Sequence, residues 1–287
     1  MKKDNFFEEI SIIIVTYKSS NILVNFLEKI NNKFKVIIID NSNDLKLKDL
    51  LKKFHNVSLF FHKNNGFATS LNYAVSKIRT KYFFQISPDL EFNFENLKLF
   101  YDFAKSINDN FTAMGPHFIN VNPKSHKQSN RNKEIVKMKF IHGSALFISL
   151  EKFKLIGKFD ENFFLYFEET DYCKRGNNLG IPSFQLNKII VKSIGRTVET
   201  SNEIFKQKLD ILTTWHFIWS KFYYFRKNYG YIFSILYFIP TLIRIIFRIN
   251  LYRFLNQKIK TKKYSYRLDG LLTSIRRKKS NLRIEDI

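Results

Sequence analysis

The chain has 287 residues, enough for one large domain or for one domain with an appendage, and an aromatic content of 17% supplies ample core material. A single cysteine, Cys173, excludes an internal disulfide framework and leaves no cysteine cluster for zinc. The formal net charge of +23 favours an anionic partner, which could be nucleic acid, a membrane surface or a phosphorylated substrate.

The N-terminal segment, residues 1–17, reads MKKDNFFEEISIIIVTY. Acids stand between its basic residues and its apolar run, and the run is as short as a strand. This is not the pattern of a signal peptide. Because the cysteine content gives no reason to expect an oxidising compartment either, the sequence predicts a cytoplasmic protein.

Four short apolar runs alternate with segments of helical period over the first 107 residues. The runs are residues 11–17, 35–40, 57–61 and 81–86, and the helical segments are 21–30, 45–54, 67–78 and 94–107. This alternation predicts right-handed βαβ crossovers and an α/β fold with an open, Rossmann-like, largely parallel sheet and helices on both faces. Ligands bind such sheets where the strands end. Polar residues follow each run, at 16–17, 40–42, 64–66 and 87–89.

Three residues at these strand ends have both a functional and a structural interpretation. Asp40 can accept hydrogen bonds from a base or ribose, or it can cap the next helix. Gly66 can let backbone amides approach a phosphate, or it is a plain loop glycine. Asp89, after Ser87 and Pro88, can hold a hard cation between two phosphate oxygens, or it is a turn residue. The local pattern leaves these alternatives open.

The regular alternation weakens after residue 107. Residues 120–134 are polar and lack an apolar period, which predicts a mobile loop over the site. A strand over 139–149, a short helix over 150–156 and a last strand over 189–195 complete the predicted catalytic unit.

Several familiar catalytic patterns are missing from the sequence. It contains no Gly-x-x-x-x-Gly-Lys loop and no Gly-x-Ser-x-Gly elbow, which argues against a P-loop enzyme and an α/β-hydrolase. His55 and His142 have no second histidine at ligand spacing, so both are interpreted as structural or surface residues.

Three carboxylates, Glu168, Glu169 and Asp171, lie directly behind the apolar run 163–167. Acids crowded beside aromatic residues repel one another and lose solvation, so at least one is expected to keep a raised pKa and to accept a proton near neutral pH. Alternatively, these acids simply occupy the first turn of a helix, where they offset the helix dipole. The local pattern does not decide between the two.

The C-terminal third, residues 205–287, is basic and apolar, with 18 Lys and Arg against 4 Asp and Glu. Its uncharged run, 231–243, is interrupted by Pro240 and is too short to span a bilayer. The arginines that follow lie among Ile, Phe, Leu and Tyr, which predicts an interfacial helix pair on anionic lipid. Alternatively, these helices pack on the domain and expose their Lys and Arg. We predict a catalytic domain over 1–204 and a membrane-associating helical region over 205–287.

Six segments, taken in order, resemble the family-2 glycosyltransferases with the GT-A fold, and look most like their rhamnosyltransferase branch. The segments are SIIIVTYKSS, VIIIDNSND, NNGFATSLNYAV, FFQISPDLEF, GSALFIS and GKFDENFFLYFEETDYCKR. The resemblance covers roughly the first 200 residues, and WSKFYYFRKNYG at 219–230 extends it into the tail.

The resemblance implies transfer of a sugar, with inversion, from a nucleotide-diphosphate donor to an acceptor hydroxyl. The residues that it places at the nucleoside are Thr16, Tyr17, Asp40 and Ser42, and those that it places around the sugar and diphosphate are Asn65, Gly66, Asn72 and Ser87. Asp89 matches the last acid of the family's metal motif, which implies Mg²⁺ or Mn²⁺. A carboxylate of the FEETD stretch matches the general base.

Helix geometry then separates the three acids. In a helix that begins near Glu168, Glu168 and Asp171 share one side, and Asp171 can pair with Arg175 four residues later. Glu169 projects about 100° away, where neither neutralises it. We therefore predict that Glu169 is the general base and that Asp171 has a structural role.

The sequence departs from the family pattern at three positions. Ser87 stands where many members have Asn or Asp, and Ser193 stands where many have His, so the cation requirement stays open. Glu169 replaces the Asp of a Glu-Asp pair and is one methylene longer.

The predicted function is transfer of rhamnose or a similar hexose to a glycan or lipid-linked acceptor in cell-surface polysaccharide biosynthesis, by a protein lying peripherally on the inner face of the cell membrane. Ser87 and Ser193 also allow a non-catalytic sugar-nucleotide-binding subunit. A basic nucleic-acid-binding protein is a weaker alternative, because the charge follows an apolar tail and no nucleic-acid module is recognisable.

Overall fold

The computed structural model describes residues 6–119, 132–195, 198 and 200–287. Most of the loop predicted at 120–134 therefore lies outside the described residues. Contacts between residues divide the chain into two compact units. The first comprises Met1–Asp160 and Glu169–Glu199, and the second comprises Glu161–Glu168 and Thr200–Ile287. The boundary predicted after residue 204 differs from this division, chiefly because the short segment 161–168 groups with the C-terminal helices.

The first unit contains a mixed sheet and its helices. Its strands are β1 Ile10–Thr16, β2 Lys35–Asp40, β3 Val57–Phe61, β4 Tyr82–Ile86, β5 Leu90–Glu91, β6 Met114–Ile119, β7 Ile135–Met138, β8 Ala145–Ser149 and β9 Ser183–Ser193. Its helices are α1 Phe6–Glu9, α2 Ser20–Leu27, α3 Lys46–Leu50, α4 Phe67–Val75, α5 Leu97–Ser106, α6 Leu150–Ile156 and α7 Glu168–Asn178, whose first residue belongs to the second unit. The short 3₁₀ turn Phe94–Asn96 precedes α5.

The parallel half of the sheet has the strand order β3-β2-β1-β4. Its register aligns Thr16 with Asp40 and Asp40 with Phe61, so the carboxyl ends of these strands lie side by side. β2 and β4 flank β1 on opposite sides, which makes the ends of β1 and β4 a topological switch point where α/β sheets bind ligands. The four predicted strands and the parallel α/β arrangement are confirmed.

The remaining half of the sheet mixes directions. β8 pairs antiparallel with β4 and β6, whereas β6 pairs parallel with β9, which also carries β5 and β7 antiparallel. β9 is longer than the strand predicted at 189–195, and β8 is shorter than the strand predicted at 139–149. Both differences arise because these strand lengths depend on partners that are distant in the sequence.

Alternating residues of β1 supply two hydrophobic cores on opposite faces of the sheet. Ile12 and Ile14 belong to one core, while Ile13 belongs to the other. All three are fully buried, and each contributes about 1.5–3 kcal/mol relative to an exposed side chain. A strand buried on both faces has no polar side, which explains the unbroken apolar run in the sequence.

The second unit is helical and has its own core. Its helices are α8 Glu203–Tyr229, α9 Tyr231–Phe254 and α10 Lys258–Ile275, and the chain ends after the 3₁₀ turn Ile284–Asp286. Phe222, Phe238 and Leu271, one from each helix, are fully buried together. Gly270 allows α10 to approach α8, because a Cβ there would lie 2.8 Å from the carbonyl oxygen of Trp215. The C-terminal helical region is therefore a packed unit.

The helix α9 is longer than the apolar run from which it was predicted. It continues through Pro240 and past the arginines, and its 24 residues correspond to about 36 Å. Among the described helices it alone is long and apolar enough to cross a membrane by length and composition. One side, including Phe238 and Ile245, is buried in the unit. On the rest of its surface Phe247 is 63% and Phe254 is 88% exposed.

Candidate active site

The ends of β1 and β2 bring together Thr16, Asp40 and Ser42. The Asp40 carboxylate is fully buried and accepts hydrogen bonds from the Ser42 hydroxyl at 2.7 Å and from the Asp44 backbone N–H at 2.8 Å. These bonds give the loop after β2 a fixed shape. Asp40 does not cap the next helix, since α3 starts at Lys46 with Leu45 as its N-cap. Of the two local alternatives, helix capping is therefore excluded.

Side-chain hydrogen bonds also order the end of β1 and tie the loop after β2 to α4. The Thr16 hydroxyl bonds to the Ser19 hydroxyl, just after β1. The Ser70 hydroxyl of α4 donates to Asn41 Oδ1 at 2.8 Å. Tyr17 follows β1 directly, and the Lys18 ammonium lies 5.8 Å from the centre of its ring. Tyr17 therefore belongs to the same strand end as Thr16, as the sequence predicts.

Gly66 is the residue that permits the sharp entry into α4. It has φ of 109° and directly precedes Phe67, a combination that a residue with a Cβ adopts only with strain. Asn65 is exposed beside it, and its backbone N–H donates to the Lys63 carbonyl at 2.7 Å. The predicted helix start after Gly66 is confirmed.

Asn72 connects α4 to the segment that leads towards the acidic stretch. Its Nδ2 donates to the Phe159 carbonyl at 2.9 Å, and its Oδ1 accepts from the Phe159 backbone N–H at 3.1 Å. The side chain is buried, with 5% exposed. This geometry gives Asn72 a structural role, while its predicted contact with the donor stays a prediction.

Asp89 lies in the turn between β4 and β5, beside the end of β9. The Ile194 backbone N–H donates to the Asp89 carbonyl at 2.9 Å, and Leu90 is aligned with Ser193. The Ser87 backbone N–H donates to the Ser144 carbonyl at 2.8 Å. The fold thus brings together Ser87, Asp89 and Ser193. These are the three positions on which the predicted cation site depends.

These side chains suit a cation that binds together with the phosphates of a substrate. Among the described residues no group of three or more His, Cys, Asp or Glu could hold a metal ion. Mg²⁺ commonly binds through one or two carboxylates together with substrate phosphates rather than in an all-protein cage. Asp89, flanked by the hydroxyl-bearing Ser87 and Ser193, fits that mode.

The loop formed by His142, Gly143 and Ser144 is the part of the site that sequence reasoning missed. His142 Nδ1 lies 2.7 Å from the Ser144 hydroxyl, and its ring lies 5.0 Å from that of Phe118. A Cβ placed on Gly143 would lie 3.5 Å from Glu169 Cδ and 3.6 Å from its Oε2. This loop therefore lies beside Glu169 and is hydrogen-bonded, through the Ser144 carbonyl, to the segment that carries Asp89. The only sequence signal was the GSALFIS segment, which carried no chemical assignment.

Asp171 is held in an ion pair, as the helical spacing predicts. Arg175 Nε donates to Asp171 Oδ2 at 2.9 Å, and the Asp171 carboxylate is fully buried. The Arg175 guanidinium also donates to the carbonyls of Ile156, Gly157 and Lys158 at 2.7, 3.0 and 2.8 Å. Asp171 therefore helps to fix the segment before the acidic stretch. The predicted pair is confirmed.

Glu169 occupies a different environment on the same helix. It is partly exposed, it lies beside Gly143, and its Oε1 accepts a hydrogen bond from the Thr170 hydroxyl at 3.1 Å. Burial raises the pKa of Cys173, one turn later, to about 11, and the negative charge of Glu169 adds to the effect. Cys173 is therefore a neutral core thiol, and the predicted role of Glu169 as general base stays a prediction.

Glu168, the first residue of α7, is 5% exposed and belongs to the second unit. The two residues before it, Tyr166 and Phe167, have φ of 68° and 73°, which is costly for bulky side chains. Within the second unit, the Ser220 hydroxyl donates to the Leu165 carbonyl at 2.8 Å, and Phe167 packs against α8. These contacts hold the strained turn that determines where α7 begins.

Comparison with known proteins gives one family match. The sequence pattern of Glycosyl transferase family 2 matches residues 11–178, more than half of the chain. Three curated proteins are similar in sequence. The low-salt glycan biosynthesis hexosyltransferase Agl10 of Haloferax volcanii is 24% identical over 196 residues, which is 61% of this chain and 63% of that protein. Rhamnosyltransferase WbbL of Escherichia coli K12 is 24% identical, covering 59% and 77%. The dTDP-rhamnosyl transferase RfbF of Shigella flexneri is 30% identical, covering 59% and 63%. The match thus spans less than two thirds of Agl10 and RfbF.

Two solved structures share the fold at low sequence identity. GalNAc-T7 with UDP, GalNAc and Mn²⁺ superposes with a TM-score of 0.54 at 13% identity, over 78% of this chain and 52% of that one. Staphylococcus aureus TarS 1–349 with UDP superposes with a TM-score of 0.51 at 13% identity, over 93% and 90%. At these identities the likeness concerns the fold alone.

Proposed function

The chain belongs to glycosyl transferase family 2, and from that premise we propose that it transfers rhamnose or a similar hexose, with inversion, from a nucleotide-diphosphate donor to a hydroxyl of a glycan or lipid-linked acceptor. The family match and the hexosyl- and rhamnosyltransferases among the relatives support this function.

The observation that carries the proposal is the proximity of Glu169 to the strand ends. The loop at 142–144 lies beside Glu169 at Gly143, where an added Cβ would touch the Glu169 side chain, and the Ser144 carbonyl accepts a hydrogen bond from the Ser87 backbone N–H after β4. A carboxylate is thereby positioned near the crevice at the β1 and β4 ends, where α/β sheets bind nucleotides. A general base and a diphosphate site side by side are what a glycosyl transfer needs.

In the proposed reaction Glu169 accepts the proton of the acceptor hydroxyl. The hydroxyl oxygen then forms a bond to the anomeric carbon from the face opposite the leaving group, and the bond from that carbon to the diphosphate oxygen breaks, which inverts the configuration. A positioned base contributes roughly 10²–10⁴-fold to such a step. Asp171 keeps its structural pairing with Arg175 throughout, and Glu168 remains buried at the start of the helix.

The residues at the strand ends would hold the donor. In this proposal Thr16, Tyr17, Asp40 and Ser42 contact the nucleoside, and Asn65, Gly66, Asn72 and Ser87 shape the space for sugar and diphosphate. The ordered loop after β2 supports this assignment, because a polar crevice that is already hydrogen-bonded loses little conformational entropy on binding.

A divalent cation, Mg²⁺ or Mn²⁺, would be held by Asp89 and by the phosphates of the donor. When bound, it would neutralise the charge that develops on the departing diphosphate. Ser87 and Ser193 are neutral, so in this proposal Asp89 is the only one of the three positions that contributes a charged ligand.

The second unit would attach the enzyme to the cytoplasmic face of an anionic membrane. The exposed apolar side of α9 and the basic excess of the C-terminal third support this, since apolar anchors and cations act together at a lipid surface. A lipid-linked acceptor would then meet the enzyme at that surface.

Two alternatives remain to be separated by experiment. A non-catalytic subunit would bind the sugar nucleotide without turning it over. A nucleic-acid-binding protein has less support, because large apolar side chains such as Phe247 and Phe254 are exposed along α9 beside its arginines.

A panel of nucleotide sugars tests the proposal, with thermal stabilisation as the first readout and release of nucleoside diphosphate in Mg²⁺ or Mn²⁺ as the second. A donor raises the melting temperature because it binds only the folded state. We expect at least one deoxyhexose or hexose donor both to stabilise the protein and to be consumed. Stabilisation without consumption, for any acceptor or for water, would favour the non-catalytic subunit. No stabilisation by any donor, with steep salt-dependent binding of nucleic acid, would refute the enzyme.

A further inference from the structure

A basic cavity of about 200 Å³ opens between the helices of the second unit, and two of the arginines that line it, Arg244 and Arg248, are exposed. All three long helices contribute to it. Its polar lining consists of Lys221 from α8, Arg244 and Arg248 from α9, and Tyr264 and Arg267 from α10, with Thr241 at its edge. The buried Ile218 and Ile245 complete the lining. Four cations therefore line one small cavity, and no acid lines it with them.

The spacing of these residues along their helices places the cations close together. Arg244 and Arg248 are four residues apart on α9, and Tyr264 and Arg267 are three residues apart on α10, so each pair shares one side of its helix. The Arg248 guanidinium donates a hydrogen bond to the Tyr264 hydroxyl and lies 5.3 Å from the centre of its ring. This contact holds Arg248 in place before any ligand binds.

Arg267 is the cation that most clearly lacks a counter-charge. Its Nε is buried and has no hydrogen-bond partner among the described residues. Burial lowers the pKa of Arg267, and the positive charges of Arg248 and Arg244 lower it further. Like charges gathered around a buried donor are unfavourable unless an anion joins them.

The acids nearby in the sequence are engaged elsewhere. Asp269, two residues after Arg267, accepts a hydrogen bond from Trp215 Nε1 at 2.7 Å. Asp210 of α8 lies 3.8 Å from the Lys263 ammonium. Neither lines the cavity, so an anionic ligand would meet four cations there with no competing acid among the lining residues.

The surroundings of the cavity indicate which anion this is. Next to Arg244 and Arg248 along α9 lie Ile243 and Phe247, which are 61% and 63% exposed. A ligand with a phosphate in the cavity would therefore have exposed apolar side chains within one helical turn of its charged group. We propose that this cavity binds the phosphate group of a membrane lipid whose acyl chains lie along the exposed apolar side of α9. The inference rests on the proposed membrane attachment of the second unit.

The test measures a preference between two anionic lipids. Phosphatidylcholine vesicles are doped either with phosphatidic acid, which offers a phosphomonoester, or with cholesteryl hemisuccinate, which offers a carboxylate, at matched surface potential. Charge-assisted, multidentate hydrogen bonds to phosphate should make the wild-type protein bind the phosphatidic acid vesicles about tenfold more tightly. Equal binding to the two vesicles would overturn the proposed site.

A pair of double variants separates the cavity from general surface charge. Arg244→Gln with Arg248→Gln removes two cavity cations, and Arg253→Gln with Arg276→Gln removes two exposed arginines that do not line the cavity. Both should weaken binding to the cholesteryl hemisuccinate vesicles to a similar extent, because each removes two positive charges. Only the cavity variant should lose the preference for phosphatidic acid, and its circular dichroism should match that of the control. Loss of the preference in both variants, or in neither, would contradict the proposal.

Inorganic phosphate distinguishes a lipid from a soluble ligand. If the site serves a lipid, millimolar phosphate should leave most of the vesicle preference intact, because the acyl chains contribute to binding. Complete loss of the preference at micromolar phosphate would assign the cavity to a soluble anion instead. These measurements need neither donor nor turnover. If the wild type binds neither vesicle, the membrane attachment itself fails, which is a separate result from loss of the lipid preference alone.

Discussion

The two units differ in the burial of their charged groups and in the partners of those groups. In the first unit, Asp40 and Asp171 are fully buried, and each is bonded to named partners that fix a loop or a helix. In the second unit, cations outnumber acids, four of them share one cavity, and large apolar side chains are exposed along α9. The first arrangement preorganises a crevice for a small polar ligand, whereas the second suits an extended anionic and apolar surface. The comparison implies that catalysis and attachment can be altered separately.

The largest effect is expected at the buried ion pair of the first unit. Asp171→Asn removes the charge that faces Arg175 and should destabilise the first unit by about 3 kcal/mol, since breaking a buried pair leaves one charge uncompensated. The matched control is Asp102→Asn, which breaks the exposed pair with Lys98 at the same i, i+4 spacing and should change the melting temperature little. Equal melting temperatures for the two variants would contradict the structural role of Asp171.

The next effect is on turnover. Glu169→Gln should lower the rate of transfer by about 10²-fold or more, while donor affinity, melting temperature and vesicle binding stay near those of the wild type. Glu151→Gln, at an exposed acid of α6, is the matched control and should keep full turnover. Loss of vesicle binding in Glu169→Gln would contradict the claim that catalysis and membrane attachment can be altered separately.

A smaller effect is expected for Asp89. Asp89→Ala should weaken nucleoside diphosphate binding in Mg²⁺ or Mn²⁺ by about tenfold or more, and it should leave nucleoside binding unchanged, because the lost ligand sits at the phosphates. Glu91→Ala removes a surface acid two residues away that pairs with Lys192, and it serves as the control in the same titration. An equal loss for nucleoside and nucleoside diphosphate would indicate a folding defect.

The smallest effect is a loss of stability of the second unit as the pH falls. His216 is fully buried, bonded to the Ser280 hydroxyl and to the Leu282 carbonyl, and burial lowers its pKa to about 3. Its unfolded pKa is near 6.5, so the unfolded state takes up a proton first as the pH falls. This contribution to stability is therefore complete well above pH 6.5 and is lost towards pH 3, by about 1.4 kcal/mol at pH 5.5.

Thermal unfolding of two variants between pH 7.5 and about pH 5 measures this loss. His216→Gln should remove part of the acid-induced decrease in melting temperature, whereas His55→Gln, at an exposed histidine of the first unit, should not. Identical pH dependence in both variants would show that His216 is not the group responsible.

Local patterns were enough to predict one half of the fold. The four parallel strands follow from unbroken apolar runs that are buried on both faces, and the Asp171–Arg175 pair follows from helical spacing. The mixed half depends on pairings such as β7 with β9, which join segments about 50 residues apart and leave no local signal. The length of α9 was missed because Pro240 and the arginines interrupt its apolar run without ending the helix.

The candidate site was predictable to a similar degree. Asp40, Gly66 and Asp89 stand at strand ends that can be read from the sequence. The proximity of Gly143 to Glu169 could not be predicted, because a glycine carries no side-chain chemistry and its neighbour is set by the fold. The strained turn at Tyr166 and Phe167 was equally hidden, since neither residue type favours a positive φ.

The central claim is that Glu169 is the general base, and the pH dependence of transfer tests it most directly. The kcat/KM of the wild type should fall on the acidic side as the base becomes protonated, while Asp171→Asn, assayed where it is folded, should keep the same acidic limb. The residual transfer of Glu169→Gln should lack that limb, because Gln does not titrate. An acidic limb that persists in Glu169→Gln and disappears in Asp171→Asn would assign the base to the other carboxylate.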